Sequence, residues 1–154
     1  MSSIKSIFIA ESSESPMESI STAELIAGQG VVGDRYFKGC GTFSKKLAGL
    51  PDVELTLIES EEIDSFNSQF NYQFGHGEFR RNIVTADIRL NELEGKEFTV
   101  GNVRLKGIRL CEPCAHLANI LTQDIIPELV HRTGLRAQIL AGGTINVGDQ
   151  FASL

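Results

Sequence analysis

The chain has no hydrophobic run approaching the roughly 18 residues that a membrane-spanning helix needs. Its opening Met1-Ser2-Ser3-Ile4-Lys5 leads into a short apolar stretch without a signal-peptide cleavage pattern. Neither membrane insertion nor secretion is expected, and a cytoplasmic location follows by default. Basic residues are scarce: 14 Lys and Arg stand against 20 Asp and Glu, for a formal net charge of −6. A basic stripe for nucleic acid would have to overcome that background field, so nucleic acid is not an expected partner. Cysteine is scarcer still, with 3 in 154 residues. An odd and small number excludes a disulfide scaffold and leaves Cys40, Cys111 and Cys114 for packing, redox or metal roles.

What is present fits an ordinary folded protein, with 42% hydrophobic and 22% charged residues. The length suits one domain over 1–154 and is short for two with separate cores. Glycine is in excess, 15 residues, against a usual share of about 7%, which implies many turns. Ile4 to Ala10 is β-branched and apolar and reads as a strand, and Met17 to Leu25 as a second extended segment. Gly28 to Gly49 keeps no apolar period and reads as a long loop. Val53 to Leu57 alternates as a half-buried strand. Ser60 to Phe66 fits a short helix with Ile63, Phe66 and Phe70 on one face, stopped by Gly75 and Gly77.

Arg81 to Thr85 is a further strand. Glu97-Phe98-Thr99-Val100 and Val103 to Ile108 alternate around Gly101-Asn102, which is hairpin turn chemistry. A helix is predicted over about Asp124 to Arg132, capped by Asp124 and ended at Gly134. Leu135 to Leu140 and Thr144 to Phe151, joined at Gly142-Gly143, read as a closing strand pair. Many short strands with few short helices favour a β-rich α+β or barrel fold over a parallel α/β sheet.

Gly28-Gln29-Gly30-Val31-Val32-Gly33 matches the dinucleotide pattern G-x-G-x-x-G, but a loop follows where that fold requires a helix. Asp34-Arg35, set among glycines, is either a local ion pair or a guanidinium presented to an anion. Cys111-Glu112-Pro113-Cys114-Ala115-His116 follows the hairpin and opens a helix, whose first N–H groups favour a thiolate. A thioredoxin-type dithiol would keep most of its sheet after this motif, and too little sequence remains. Structural zinc would need Cys40, Cys111, Cys114 and His116 together, with the glycine-rich loop folded back. Cys40 by itself is expected to pack as a small apolar group. Arg35, Arg80, Arg81, Arg132 and Arg136 are either scattered surface residues or a cluster around Cys114 for a phosphate-bearing anion. His116 and His131 receive no assigned role.

Taken in order, Gly33-Asp34-Arg35-Tyr36, Phe79-Arg80-Arg81-Asn82-Ile83-Val84, Gly95 with Gly101, Cys111-Glu112-Pro113-Cys114 and Gly142 to Asp149 resemble the MOSC domain. That family is named for the C-terminal part of molybdenum cofactor sulfurase. The resemblance implies a β-barrel with a few short helices and a role in handling molybdenum cofactor or activated sulfur. It makes Cys114 the molybdenum ligand of a molybdopterin-type cofactor. It places Arg35, Arg80 and Asn82 in motifs that hold the pterin phosphate, and the arginine cluster around Cys114 adds Arg132 and Arg136 as further anion contacts. Reduction of small N-hydroxylated compounds, with an electron-donor protein, is the enzymatic reading. A sulfur carrier charged by a cysteine desulfurase is the alternative, with a persulfide on Cys114 and Cys111 as the resolving thiol. A zinc-stabilised binding domain is a third. Pro113 stands where cofactor-binding members commonly carry Arg, and Glu112 adds a negative charge beside the thiol.

Overall fold

The computed structural model describes residues 1–154. Eleven strands form: β1 (Ser3–Ile9), β2 (Glu18–Ile20), β3 (Thr22–Ile26), β4 (Gly30–Val31), β5 (Leu55–Glu59), β6 (Ile83–Ala86), β7 (Glu97–Val100), β8 (Val103–Leu110), β9 (Leu135–Ala141), β10 (Gly143–Asn146) and β11 (Phe151–Ser153). The helices are short: α1 (Ser60–Phe70), α2 (Ala115–Ile120) and α3 (Ile125–Glu128), with 3-10 turns at Pro51–Val53, His76–Phe79 and Leu90–Leu93. None is long and apolar enough to cross a membrane.

An eight-stranded sheet runs β11-β7-β8-β9-β5-β6-β1-β2, and a three-stranded sheet runs β10-β3-β4. Every pair is antiparallel except β5 with β6. Hydrogen bonds from Ile4 N to Asp149 O (2.9 Å) and Gly148 N to Ile4 O (2.8 Å) draw the two ends of the large sheet together. The ladder is still open at β11 and β2, so the expected closed barrel is not found and the architecture is a β-rich α+β fold with a large mixed sheet.

The strand β5 organises this sheet. All five of its residues are buried, because it is covered on both faces, as a strand is when helices lie on the side opposite the core. Leu55 and Leu57 point into the main core with Ile7, Ile83, Leu105, Leu135 and Ile139. Ile58 points the other way, into a second cluster with Val84, Phe66, Phe79, Leu117 and Leu129, roofed by α1, α2 and α3. The half-buried alternation expected for Val53 to Leu57 is therefore replaced by burial on both sides. Its first two residues belong to the preceding turn.

Ile63 and Phe66 of α1 are buried as expected, but the helix ends at Asn71 in the left-handed conformation (φ 60°), before the glycines are reached. The hairpin forms as β7 and β8. Three expectations fail for tertiary reasons. The extended segment 17–25 breaks at Ser21, and its halves pair in different sheets. The predicted closing pair does not form, because β9 lies between β8 and β5 while β10 pairs with β3. The predicted helix 124–132 shrinks to α3, and Asp124 accepts a bond from the Tyr72 hydroxyl (2.7 Å) instead of capping it. Gly134, with φ +108°, lets the chain pass against the Leu57 carbonyl, which a Cβ would strike.

Glu59 ends β5 on the core side and is buried, with Oε2 accepting the Leu90 N–H at 3.1 Å. Its pKa is raised above the ordinary carboxylate value, by burial first and by the neighbouring Glu62 and Glu61 in addition. A carboxyl raised in the folded state contributes stability while protonated, and loses that contribution as pH climbs from the unfolded to the folded value. Glu59→Gln is therefore predicted to gain stability relative to the unsubstituted chain as pH rises from about 4 to 7. Urea unfolding across that window is the measurement, and a relative loss would contradict the assignment.

Candidate functional site

The Phe79–Asn82 segment decides which arginines are free. Phe79 is fully buried, and Arg80 follows it in the left-handed conformation (φ 62°), so Arg80 and Arg81 project in different directions. The Arg80 guanidinium donates to the carbonyls of Ser12 (3.3 Å), Ser13 (3.1 Å) and Ser15 (2.7 Å), tying down the serine-rich loop. Arg35 donates to the Arg80 carbonyl (3.0 Å) and to Asp34 Oδ1 (2.9 Å), with its guanidinium carbon 4.8 Å from the Tyr36 ring centre. Asp34 in turn accepts from Ala10 N and Tyr36 N. Burial, and then the adjacent Arg35 charge, lower the pKa of Arg80. Arg35 and Arg80 do come together as the sequence suggested, but their nitrogens face main-chain carbonyls and Asp34, not an open anion site.

Asn82 is also committed. Its Oδ1 accepts from Thr56 N (3.1 Å) and Thr56 Oγ1 (3.2 Å), and its Nδ2 donates to Phe8 O (3.2 Å). Directly paired residues share one face of a sheet. Thr56 pairs with Arg136, and Arg136 with Arg109, so Arg109, Arg136, Thr56 and Asn82 form one polar row across β8, β9, β5 and the entry to β6. The next residues on that face, Ile58 and Val84, belong to the second apolar cluster, against which Cys114 packs. Cys114 therefore lies on the same face as the arginine row.

Buried Asp52 organises the row. The Arg109 Nε stands 2.6 Å from Asp52 Oδ2, and Arg136 donates to the Asp52 carbonyl at 3.2 Å. The Arg109 approach is an ion pair without a well-directed hydrogen bond, since no donor is aimed at Oδ2. Because the Arg109 side chain is 60% exposed, this contact is worth little as stability and matters as orientation. The Arg136 guanidinium also lies 5.3 Å over the Phe43 ring. Arg81, a member of the candidate arginine cluster, donates instead from Nε to the Thr133 carbonyl (2.9 Å), and Thr133 Oγ1 donates to Cys111 O (2.6 Å).

Cys114 is partly exposed and caps α2, its Sγ accepting the Leu117 N–H at 3.5 Å. Cys111 is 2% exposed, just beyond the end of β8, with its N–H on the Gly134 carbonyl. Burial keeps it from meeting a reagent or resolving a persulfide without local unfolding. Cys40 is exposed rather than packed, with its thiol on the Glu11 carbonyl. No group of three or more His, Cys, Asp or Glu side chains that could hold a metal ion is formed, so the zinc set of Cys40, Cys111, Cys114 and His116 does not assemble.

Glu112 turns to His131, bonding its N–H (2.6 Å) and Nδ1 (2.5 Å), and that partnership occupies both carboxylate oxygens. Arg132 stands 3.6 Å from Glu62, lining a cavity with Glu59 and Arg89. The residues missed by sequence reasoning are Arg109, Thr56 and Asp52. Strict alternation along β8 would turn Arg109 into the core with Val103, Leu105 and Gly107. A register shift between Gly107 and Arg109 reverses that, and no residue pattern announces it.

A family model described as the MOSC domain matches residues 44–152, which leaves the Asp34-Arg35 loop outside the match. No curated protein matches the sequence. Among solved structures, the YuaD protein of Bacillus subtilis superposes with TM-score 0.82 at 14% identity, over 98% of this chain and 94% of that one. YiiM of Geobacillus stearothermophilus gives 0.74 at 14% identity over 100% and 75% of the two chains. YiiM of Escherichia coli gives 0.69 at 16% identity over 99% and 69%. At these identities the likeness establishes the fold.

The division of the arginines is testable by stability alone. Arg80→Met should cost about 2 kcal/mol, because the serine-rich loop loses a charged donor to three carbonyls. Arg136→Met should cost less than about 1 kcal/mol. Urea denaturation gives both values, and equal costs would contradict the division.

Proposed function

The chain belongs to the MOSC domain family, and from that premise we propose that it holds an anionic molybdopterin-type cofactor on the arginine-row face, with the Cys114 thiolate as molybdenum ligand. The observation that carries this reading is the shared face: a half-exposed thiol receiving an N–H bond, and the Arg109–Arg136 pair on one side of the sheet. The donor set suits the group. Guanidinium is a bidentate partner for phosphate, and a thiolate is the soft ligand such a metal takes. The penalty expected from Glu112 is reduced because that carboxylate is engaged by His131.

When bound, the cofactor supplies two-electron redox chemistry, which in this reading reduces small N-hydroxylated compounds with electrons from a donor protein. The chain's part is to bind and orient. Arg109 and Arg136 take the anionic end, Asp52 holds these two in register, and Cys114 fixes the metal end against α2. Arg35, Arg80 and Asn82 serve this site indirectly, by fixing the loop and the strands beside it, and Arg132 stands apart from it.

The sulfur-carrier alternative uses the same Cys114 but loses its resolving thiol, since Cys111 is buried. An external reductant or acceptor protein would have to take the sulfur. Protein produced in a cofactor-making host should contain near-stoichiometric molybdenum by elemental analysis. That content should be lost in Cys114→Ser and fall at least about tenfold in the Arg109→Met/Arg136→Met double variant, while Arg132→Met keeps it. Absence of molybdenum, together with a reductant-labile gain of about 32 Da after incubation with a cysteine desulfurase, would replace the cofactor reading with the carrier.

A further inference from the structure

A cavity of about 370 Å³ lies at the end of β5, lined by Glu59, Glu62, Arg89, Asn91, His131 and Arg132, with Val130 its one apolar contributor. Glu59 points to the core side of β5, opposite Thr56 and Ile58, because successive strand residues face opposite ways. The cavity therefore sits at the C-terminal end of β5, where Glu59 from the core side meets Glu62 of α1. Its lining is unusual in how its charges are paired. Elsewhere the side-chain ion pairs close to 2.5–2.9 Å. Here Arg89 to Glu59 and Arg132 to Glu62 both stop at 3.6 Å, beyond direct hydrogen bonding, and the unused donors and acceptors border the cavity.

Other contacts hold the lining in place. Glu59 is 8% exposed and keeps one oxygen on the Leu90 N–H, leaving Oε1 toward Arg89. Asn91 donates to the His131 carbonyl (2.8 Å), fixing the loop that carries Arg132, and the His131 ring is taken by Glu112. The remaining fixed charges are two carboxylates and two guanidinia, which sum to zero. A ligand carrying net charge would leave one pair without a counterpart, whereas a ligand with separated cationic and anionic groups satisfies both.

We propose that this cavity is a binding site for a small zwitterion of the α-amino-acid class, with the ammonium group between Glu59 and Glu62 and the carboxylate on Arg89 and Arg132. The apolar share of the lining is small, which favours a compact or polar side chain. The site stands independently of the cofactor reading and involves no chemical step.

Saturation-transfer NMR on the full chain with the common L-amino acids is the test. It is followed by titration of the best binder and of its two analogues, the amine lacking the carboxylate and the acid lacking the amine. At least one amino acid should bind at millimolar concentration or below, and each analogue should bind about tenfold or more weakly. Glu59→Gln and Arg132→Gln should each weaken the amino acid by a similar factor. Arg132 is 55% exposed at the side chain, so its replacement leaves the fold intact if Glu59→Gln does not. No binding by any amino acid, analogues that bind as well as the parent, or affinity unchanged in Arg132→Gln would each overturn the proposal. Molybdenum content is read separately, so its loss or retention bears only on the Cys114 site.

Discussion

The side chain of Asn82 holds the centre of the sheet. Its main chain donates to Thr56 O and accepts from Phe8 N, while its amide accepts from the Thr56 N–H and hydroxyl and donates to the Phe8 carbonyl. One buried residue thus fixes the level of β1 and β5 against β6. An unsatisfied buried partner costs about 1–3 kcal/mol, so this junction is stiff. Everything on the outer face is measured from it: Thr56 sets Arg136, Arg136 sets Arg109, and the next step along β5 sets Ile58 and the apolar bed of Cys114. The motif residue that the family resemblance assigned to ligand binding acts here as the hinge pin between the sheet's two sides.

Local signals were readable where local physics decides. The alternation around Gly101-Asn102 gives the β7–β8 hairpin, and the spacing of Ile63 and Phe66 gives the buried face of α1. Long-range pairing was not readable. Leu135 to Ala141 and Gly143 to Asn146 look like a hairpin in sequence, yet Gly142 lets the chain pass so close to the Leu25 carbonyl that β10 joins β3 instead. For the candidate site, the place of Cys114 at the start of a helix was legible. Arg109 was hidden by the β8 register shift, and the turning of Arg80 toward the serine-rich loop by a single left-handed residue is not signalled in its motif. Motif order carries residue positions, but side-chain direction depends on conformations that the motif does not encode.

The acidic balance of the chain coexists with local positive charge because its arginines are nearly all assigned to fixed work. Arg35 and Arg80 brace a loop, Arg81 braces the Thr133 carbonyl, and Arg104 pairs with Glu97. Arg109 and Arg136, gathered by Asp52, remain turned to the face where Cys114 lies. At the C-terminal end of β5, Arg89 and Arg132 stand near carboxylates they do not quite reach. The fold therefore carries two differently charged environments, one positive beside a thiol and one balanced around a cavity.

The central claim is that the anion face is the one defined by Arg109, Arg136 and Cys114. Peptide-level hydrogen–deuterium exchange of the protein with and without molybdopterin cofactor tests it directly. The account predicts cofactor-dependent protection in 105–120 and 134–139, with exchange in 11–17 and 34–39 unchanged. Protection confined to the Ser12–Met17 and Asp34–Arg35 segments would contradict it and restore Arg35 and Arg80 as the anion contacts.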